Sequence, residues 1–120
     1  MKRMPKTLPV VDISAPICCA PLAAGVMDEA AALELALRLK ALADPARIQL
    51  ISILMAARPG EISTGDLADT VGLSSATVSH HLSQLKKAGL VSSERRGINN
   101  FYRAEPDSLE ALRAVLATCC

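Results

Sequence analysis

From residue 28 onward, apolar residues recur at helical spacing, interrupted where the chain offers caps and turns. Asp28 can cap a first helix running through AALELALRLKAL. On that helix Leu33, Leu37 and Lys40 fall on one side, and Leu35, Leu39 and Leu42 on another. A helix apolar around much of its girth is buried from two directions, here by its own domain and by a partner subunit. Asp44-Pro45 starts a second helix, with Asp44 at the N-cap and Pro45 at the first helical position. Its core face is predicted at Ile48, Ile51, Leu54 and Met55, and Arg58-Pro59-Gly60 stops it. Ser63 opens a third helix, with Asp66 as a shortened capping box and Leu67, Ala68 and Val71 on its buried side. Gly72 ends it, and Ser74 caps a fourth helix that runs to Gly89 with Val78, Leu82 and Leu85 inward.

The pattern then changes. Leu90 to Glu94 has partial strand character, Arg95-Arg96-Gly97 is a turn candidate, and Asn100-Phe101-Tyr102-Arg103 is predicted to return as a strand. Pro106 begins a last helix with Leu109, Leu112 and Leu116 in register. The sequence divides into residues 1–27, an extended arm holding Pro5, Pro9, Pro16 and Pro21, and a helical domain over 28–120.

The outward face of the fourth helix carries the candidate chemistry. At ~100° per residue, Ala76, His80, Ser83 and Lys87 lie opposite the buried side, with Thr77 and Gln84 on one flank. Such a face, small and polar at its start and basic at its end, can enter a DNA major groove. Periodicity alone favours an ordinary amphipathic surface helix, and the surrounding chain has to decide.

Composition narrows the choice. The chain has 120 residues, 51% hydrophobic but 2% aromatic, so its core is built from Ala, Leu, Ile and Val. So short a chain buries limited apolar area, and dimerisation would relieve that. A net charge of +1 announces no nucleic-acid partner. Its distribution does: between residues 75 and 103, Lys86, Lys87, Arg95, Arg96 and Arg103 are opposed by Glu94 alone. The chain after residue 103 is acidic, through Glu105, Asp107 and Glu110. A localised basic patch is the footprint of phosphate binding. No apolar run approaches the ~20 residues of a membrane span. The basic MKRM start is followed by Pro5, Pro9, Asp12 and Pro16, which break up any signal-peptide core. These features predict a cytoplasmic protein with no membrane partner.

Helix, helix, helix-turn-helix, basic hairpin, helix is the order of a winged helix. The local sequences resemble the ArsR/SmtB family of bacterial metal-responsive repressors. The resemblance lies in LKALADPARIQLISIL (39–54), ISTGDLADTVGLSSATVSHHLSQLKKAGLV (62–91), RRGINNFYR (95–103) and the terminal helix (106–118). The phrase S-x-x-T-V-S-H-H-L-x-x-L-x-x-A-G-L, beginning at Ser74, is its most specific part. The expected fold is mainly α, a winged helix-turn-helix of about five helices plus a two-stranded hairpin wing. The resemblance implies a homodimer, joined through first and last helices, with two recognition helices on double-stranded operator DNA. It places Ser75, Thr77, Ser79 and His80 at or near the groove. Gln84, Lys87, Arg95 and Arg96 complete the expected DNA-binding set, and His81 is a packing residue.

The inducer site is sought among the thiols. One family pattern puts cysteines on the third helix, where this chain has Ser63-Thr64-Gly65-Asp66. Another builds a zinc site on the last helix, which here has Asp107 and Glu110 but no histidine. The remaining soft ligands are Cys18, Cys19, Cys119 and Cys120. Relatives with a vicinal pair in the arm respond to trivalent arsenic, some with a third thiol from the loop after the second helix. That loop here is Ala57-Arg58-Pro59-Gly60, without cysteine, so the C-terminal pair would have to supply the third sulfur. Adjacent cysteines on an extended strand point apart, so the arm must bend at Cys18-Cys19 for both to bind one ion. Thiolates select soft ions. As(III) or Sb(III) takes three sulfurs in a pyramid; Cd(II), Pb(II) or Zn(II), the alternative inducers, more readily take four ligands.

The expectation is therefore a repressor, not an enzyme, released from operator DNA when As(III) or Sb(III) binds the cysteines. Thiol oxidation through the same residues is the rival within this class. A thiol oxidoreductase or metalloid carrier is the rival outside it. The chain has no C-x-x-C at a helix start and no Ser/His/acid set for hydrolysis.

Overall fold

The computed structural model describes residues 11–17, 22, 25–57 and 60–117. Five helices and three strands follow one another as α1 (Glu29–Leu42), α2 (Pro45–Ala56), β1 (Ile62–Ser63), α3 (Thr64–Val71), α4 (Ser75–Lys87), β2 (Val91–Arg96), β3 (Asn99–Ala104) and α5 (Pro106–Leu116). The caps explain the starts. The Asp28 carboxylate accepts from the Ala31 N–H at 2.8 Å, and that of Asp44 from the Ala46 N–H at 2.8 Å. Ser63 accepts from the Asp66 N–H, and Ser74 from the Thr77 N–H, each at 3.2 Å. Each satisfies a helix-start donor that has no partner within its own helix. The turn between α3 and α4 needs Gly72, whose φ of 72° is left-handed. Its N–H and that of Leu73 both donate to the Ala68 carbonyl, closing α3 before Ser74 opens α4.

The core is aliphatic. Leu50 of α2, Leu67 of α3, Val78, Leu82 and Leu85 of α4, Leu90, and Val115 of α5 are its fully buried members. They bring α2, α3 and α4 together, with Tyr102 of β3 sealing one side. Among the described residues no helix is long and apolar enough to cross a membrane.

Four features differ from the sequence expectation. The sheet has three strands in the order β1-β3-β2, because Ile62 and Ser63 pair with Tyr102 and Phe101. Two residues are too few to show alternation, so the sequence carried no sign of β1. The hairpin turn lies at Gly97-Ile98, since Arg96 pairs with Asn99; Arg95 and Arg96 end a strand rather than form the turn. On α2 the buried residues are Leu50 and Leu54, while Ile48 and Met55 are exposed. Apolar residues surround that helix, so several faces fit the spacing, and contact with α3 and α4 selects one. On α5 the buried stripe is Ser108, Leu112 and Val115, and Leu116 faces outward. The apolar surface there is two stripes wide, and one chain covers only one of them.

Candidate nucleic-acid interface

Burial of Val78, Leu82 and Leu85 sets the rotation of α4 and turns its other face to solvent. Ser75, Thr77, Ser79, His80 and Lys87 are exposed, and Gln84 is half-buried. The first two turns present short hydroxyls, and the last turn presents Lys86 and Lys87. Ser74 fixes the start of this surface, because its hydroxyl also donates to Thr77 Oγ1 at 2.9 Å. His81 turns inward, and its Nδ1 accepts from Arg47 Nε at 3.1 Å. Arg47 also donates to the Ala41 carbonyl at 3.3 Å. One guanidinium thus joins the end of α1, the start of α2 and the middle of α4.

The wing is braced rather than free. Arg96 donates to Glu61 at 2.8 Å and to Glu94 at 3.1 Å, with its guanidinium 5.0 Å from the centre of the Phe101 ring. The Arg96 hydrogen bond holds the Glu94 carboxyl below its ordinary range, and the Glu94 and Glu61 bonds raise Arg96. Arg95 donates within the turn, to the Gly97 carbonyl, and stays exposed. Lys86 reaches Ser93 Oγ at 2.7 Å, joining the last turn of α4 to β2. A phosphate approaching the wing would meet Arg95 as a cation without a carboxylate partner, and Arg96 as one already paired.

Along α4 the expected residues fall into two groups. Ser75, Thr77, Ser79 and His80 lie along its first half. Gln84 and Lys87, together with His80, line a cavity of about 840 Å³ shared with Lys40 and Arg47 and with arm residues 11–14. Sequence reasoning missed the two basic residues on the other helices. Arg47 follows Asp44-Pro45 in a helix start, where a charge signals only solvent. Lys40 lies among the leucines of α1, where the spacing gives a lysine no role.

The comparisons with known proteins agree with this geometry. Residues 44–93 match the family model described as bacterial regulatory protein, arsR family. The biofilm growth-associated repressor of Agrobacterium fabrum is 37% identical over 93 residues, 77% of either chain. The chain belongs to the ArsR family. It is a transcriptional regulator of that winged-helix, DNA-binding class, and the relatives are regulators rather than enzymes. The arsenic resistance transcriptional regulator of Pseudomonas putida is 35% identical over 77 residues, 64% of this chain and 59% of the relative. The crystal structure of the AntR antimony-specific transcriptional repressor superposes with a TM-score of 0.62 at 31% identity. That superposition covers 74% of this chain and 79% of AntR.

The inducer-site residues of this ArsR-family chain stand apart from that agreement. Cys18, Cys19, Cys119 and Cys120 lie outside the described residues. Among the described residues no three of His, Cys, Asp and Glu gather where they could hold a metal ion. Asp107 and Glu110 of α5 are both exposed, and Glu110 is held by Arg113, whose hydrogen bond keeps the carboxyl below its usual range.

Proposed function

We propose that this ArsR-family regulator is a homodimeric repressor that holds operator DNA when unliganded and releases it when trivalent arsenic or antimony binds its cysteine thiolates. The observation that carries the DNA half is the exposed hydroxyl-lined face of α4, set by a buried opposite face and a left-handed turn at Gly72. Ser75, Thr77, Ser79 and His80 meet base edges, while Gln84, Lys87 and Arg95 meet the backbone. Exposed apolar side chains support the dimer. Leu39 on α1 and Leu116 on α5 are exposed apolar residues on the two helices that would join the subunits.

The inducer half rests on chemistry and kinship. Two vicinal thiol pairs, before α1 and after α5, offer the three sulfurs that a pyramidal As(III) or Sb(III) requires. An arsenic resistance regulator and an antimony-specific repressor are among the relatives. Cys18, Cys19 and one of Cys119 and Cys120 form the ligand set. Binding shifts the dimer to a geometry in which the paired recognition helices no longer match the half-site spacing.

The test is a titration of arsenite into the complex of reduced protein and operator DNA. The expected result is a loss of affinity of about 5- to 150-fold, the usual range of such coupling. Unchanged affinity at saturating arsenite would overturn the inducer assignment. Release by peroxide with none by arsenite would replace metal binding with thiol oxidation.

A further inference from the structure

The described part of the arm, residues 11–17, is seated where α1, the end of α4 and the start of α5 meet. Its Ser14 and Pro16 border a cleft whose other walls are Lys86, Gly89, Val91, Glu105 and Ser108. Ile13 and Ile17 pack against the core. Two contacts give this seat a specific shape. The first is Arg38, a charged residue on α1 that is 4% exposed. A buried guanidinium needs acceptors. Arg38 donates to the Glu34 carbonyl, on its own helix, and to the Ala15 carbonyl, on the arm, each at 3.0 Å, with the Glu34 carboxylate 4.0 Å away. The arm therefore completes the solvation of a charge that α1 has taken out of water.

The second contact is Gly89. It ends the recognition helix at a φ of 71°, donating to the Lys86 carbonyl at 2.9 Å. A β-carbon here would fall on the Ser14 carbonyl, 2.7 Å from its carbon. Glycine is thus required twice, by the left-handed turn and by the arm lying directly upon it. The arm is also shaped to land there. Asp12 accepts from the Ser14 N–H at 2.9 Å and its hydroxyl at 2.6 Å. Pro16 favours extended backbone at Ala15.

We propose that residues 11–17 form a latch, through which the position of the arm is transmitted to the end of the recognition helix. Arg38 and Gly89 are its positioning residues. The latch ends one residue before Cys18, so a thiol ligand drawn into an ion moves the segment resting on Gly89. That consequence rests on the arm cysteines taking the inducer; the docking of the arm does not.

The experiment compares the full-length protein with Arg38→Met, which keeps bulk and removes the charge. A second variant, Asp12→Ala with Ser14→Ala, removes the arm's turn and leaves every helix intact. Hydrogen exchange is measured on peptides covering residues 11–17 and 86–91, and operator affinity with and without arsenite. In both variants the arm peptide is expected to exchange faster, followed by the peptide at the end of α4. The arsenite-induced loss of operator affinity is expected to shrink by about fivefold or more. Arsenite binding by the thiols, followed by absorbance, is expected to be unchanged. Unaltered arm exchange in both variants would overturn the latch, as would a full arsenite response in variants whose arm has come free. A wild-type protein that ignores arsenite would sink the inducer reading instead, and exchange alone would then decide the latch.

Discussion

Helices α1 and α4 are nearly equal in length, 14 and 13 residues, but they meet their surroundings differently. In α4 apolar and polar residues are separated, and one buried stripe fixes its rotation. In α1 apolar residues run around the helix; Leu35, Arg38 and Ala41 are buried, while Leu39 stays outside. The contrast shows what each surface is for. A sharply divided helix has one partner, the core, and a free face, the one we propose meets DNA. An undivided helix has more apolar surface than its own chain can cover. The one charge buried on α1 is satisfied by its own helix, through Glu34, and by the arm, through Ala15.

The largest effect should come from the divided helix. Leu82 is completely buried at its centre. Leu82→Ala is expected to cost about 2–5 kcal/mol of stability, the usual range for an aliphatic side chain truncated in a core. Urea unfolding checks this. A cost near that of a surface substitution would mean that α4 is not held by its apolar stripe, and the contrast with α1 would fail.

The undivided helix is tested by association. Leu39→Glu with Leu116→Glu places charges on the exposed apolar positions of α1 and α5. Sedimentation equilibrium should show the dimer dissociation constant raised by tenfold or more, at least ~1.4 kcal/mol. The isolated subunit should keep its helical content, because neither side chain is in the core. An unaffected dimer would locate the interface elsewhere, with the exposed Ile48 and Met55 of α2 as the next surface to alter.

A smaller effect is expected at the start of α4. Ser74→Ala removes both the bond from the Thr77 N–H and the hydroxyl contact with Thr77 Oγ1. The stability loss should be about 0.5–2 kcal/mol, as for other N-caps. Operator affinity should also fall, because Thr77 loses the contact that fixes its hydroxyl. Thermal unfolding and a DNA-binding isotherm separate the two.

What was legible in the sequence follows the same division. Asp28, Asp44, Ser63 and Ser74 marked four helix starts correctly, since capping is local chemistry written in one or two residues. Val78, Leu82 and Leu85 gave the rotation of α4 because polar residues surround them. The buried faces of α2 and α5 were misjudged where apolar residues offered several equivalent stripes. Distant partners were invisible: β1 exists only because β3 lies beside it, and the Ala15 carbonyl comes back across the chain to accept from Arg38. The exposure of Ser75, Thr77, Ser79 and His80 was readable in the family phrase around α4. The pairing of Arg96 with Glu61 was not, since a strand, a turn and two helices' worth of chain separate them.

That pairing supplies the finest test of how the reading surface is built. Arg95 and Arg96 are neighbours with the same charge, but among the described residues Arg96 is engaged by two carboxylates and Arg95 by none. A cation already paired has less to gain from a phosphate, because the carboxylates must first be displaced. Arg95→Gln should therefore weaken operator binding across sequences and reduce the slope of log affinity against log salt by about 1, the signature of one lost phosphate contact. Arg96→Gln should leave that slope nearly unchanged. It removes the brace between the wing and Glu61, and ion pairs this exposed add little to stability. Its effect should appear in the wing itself, as faster hydrogen exchange over residues 91–104. Equal salt slopes for the two variants would show that Arg96 leaves its carboxylates for DNA. The bracing would then belong to the free protein alone.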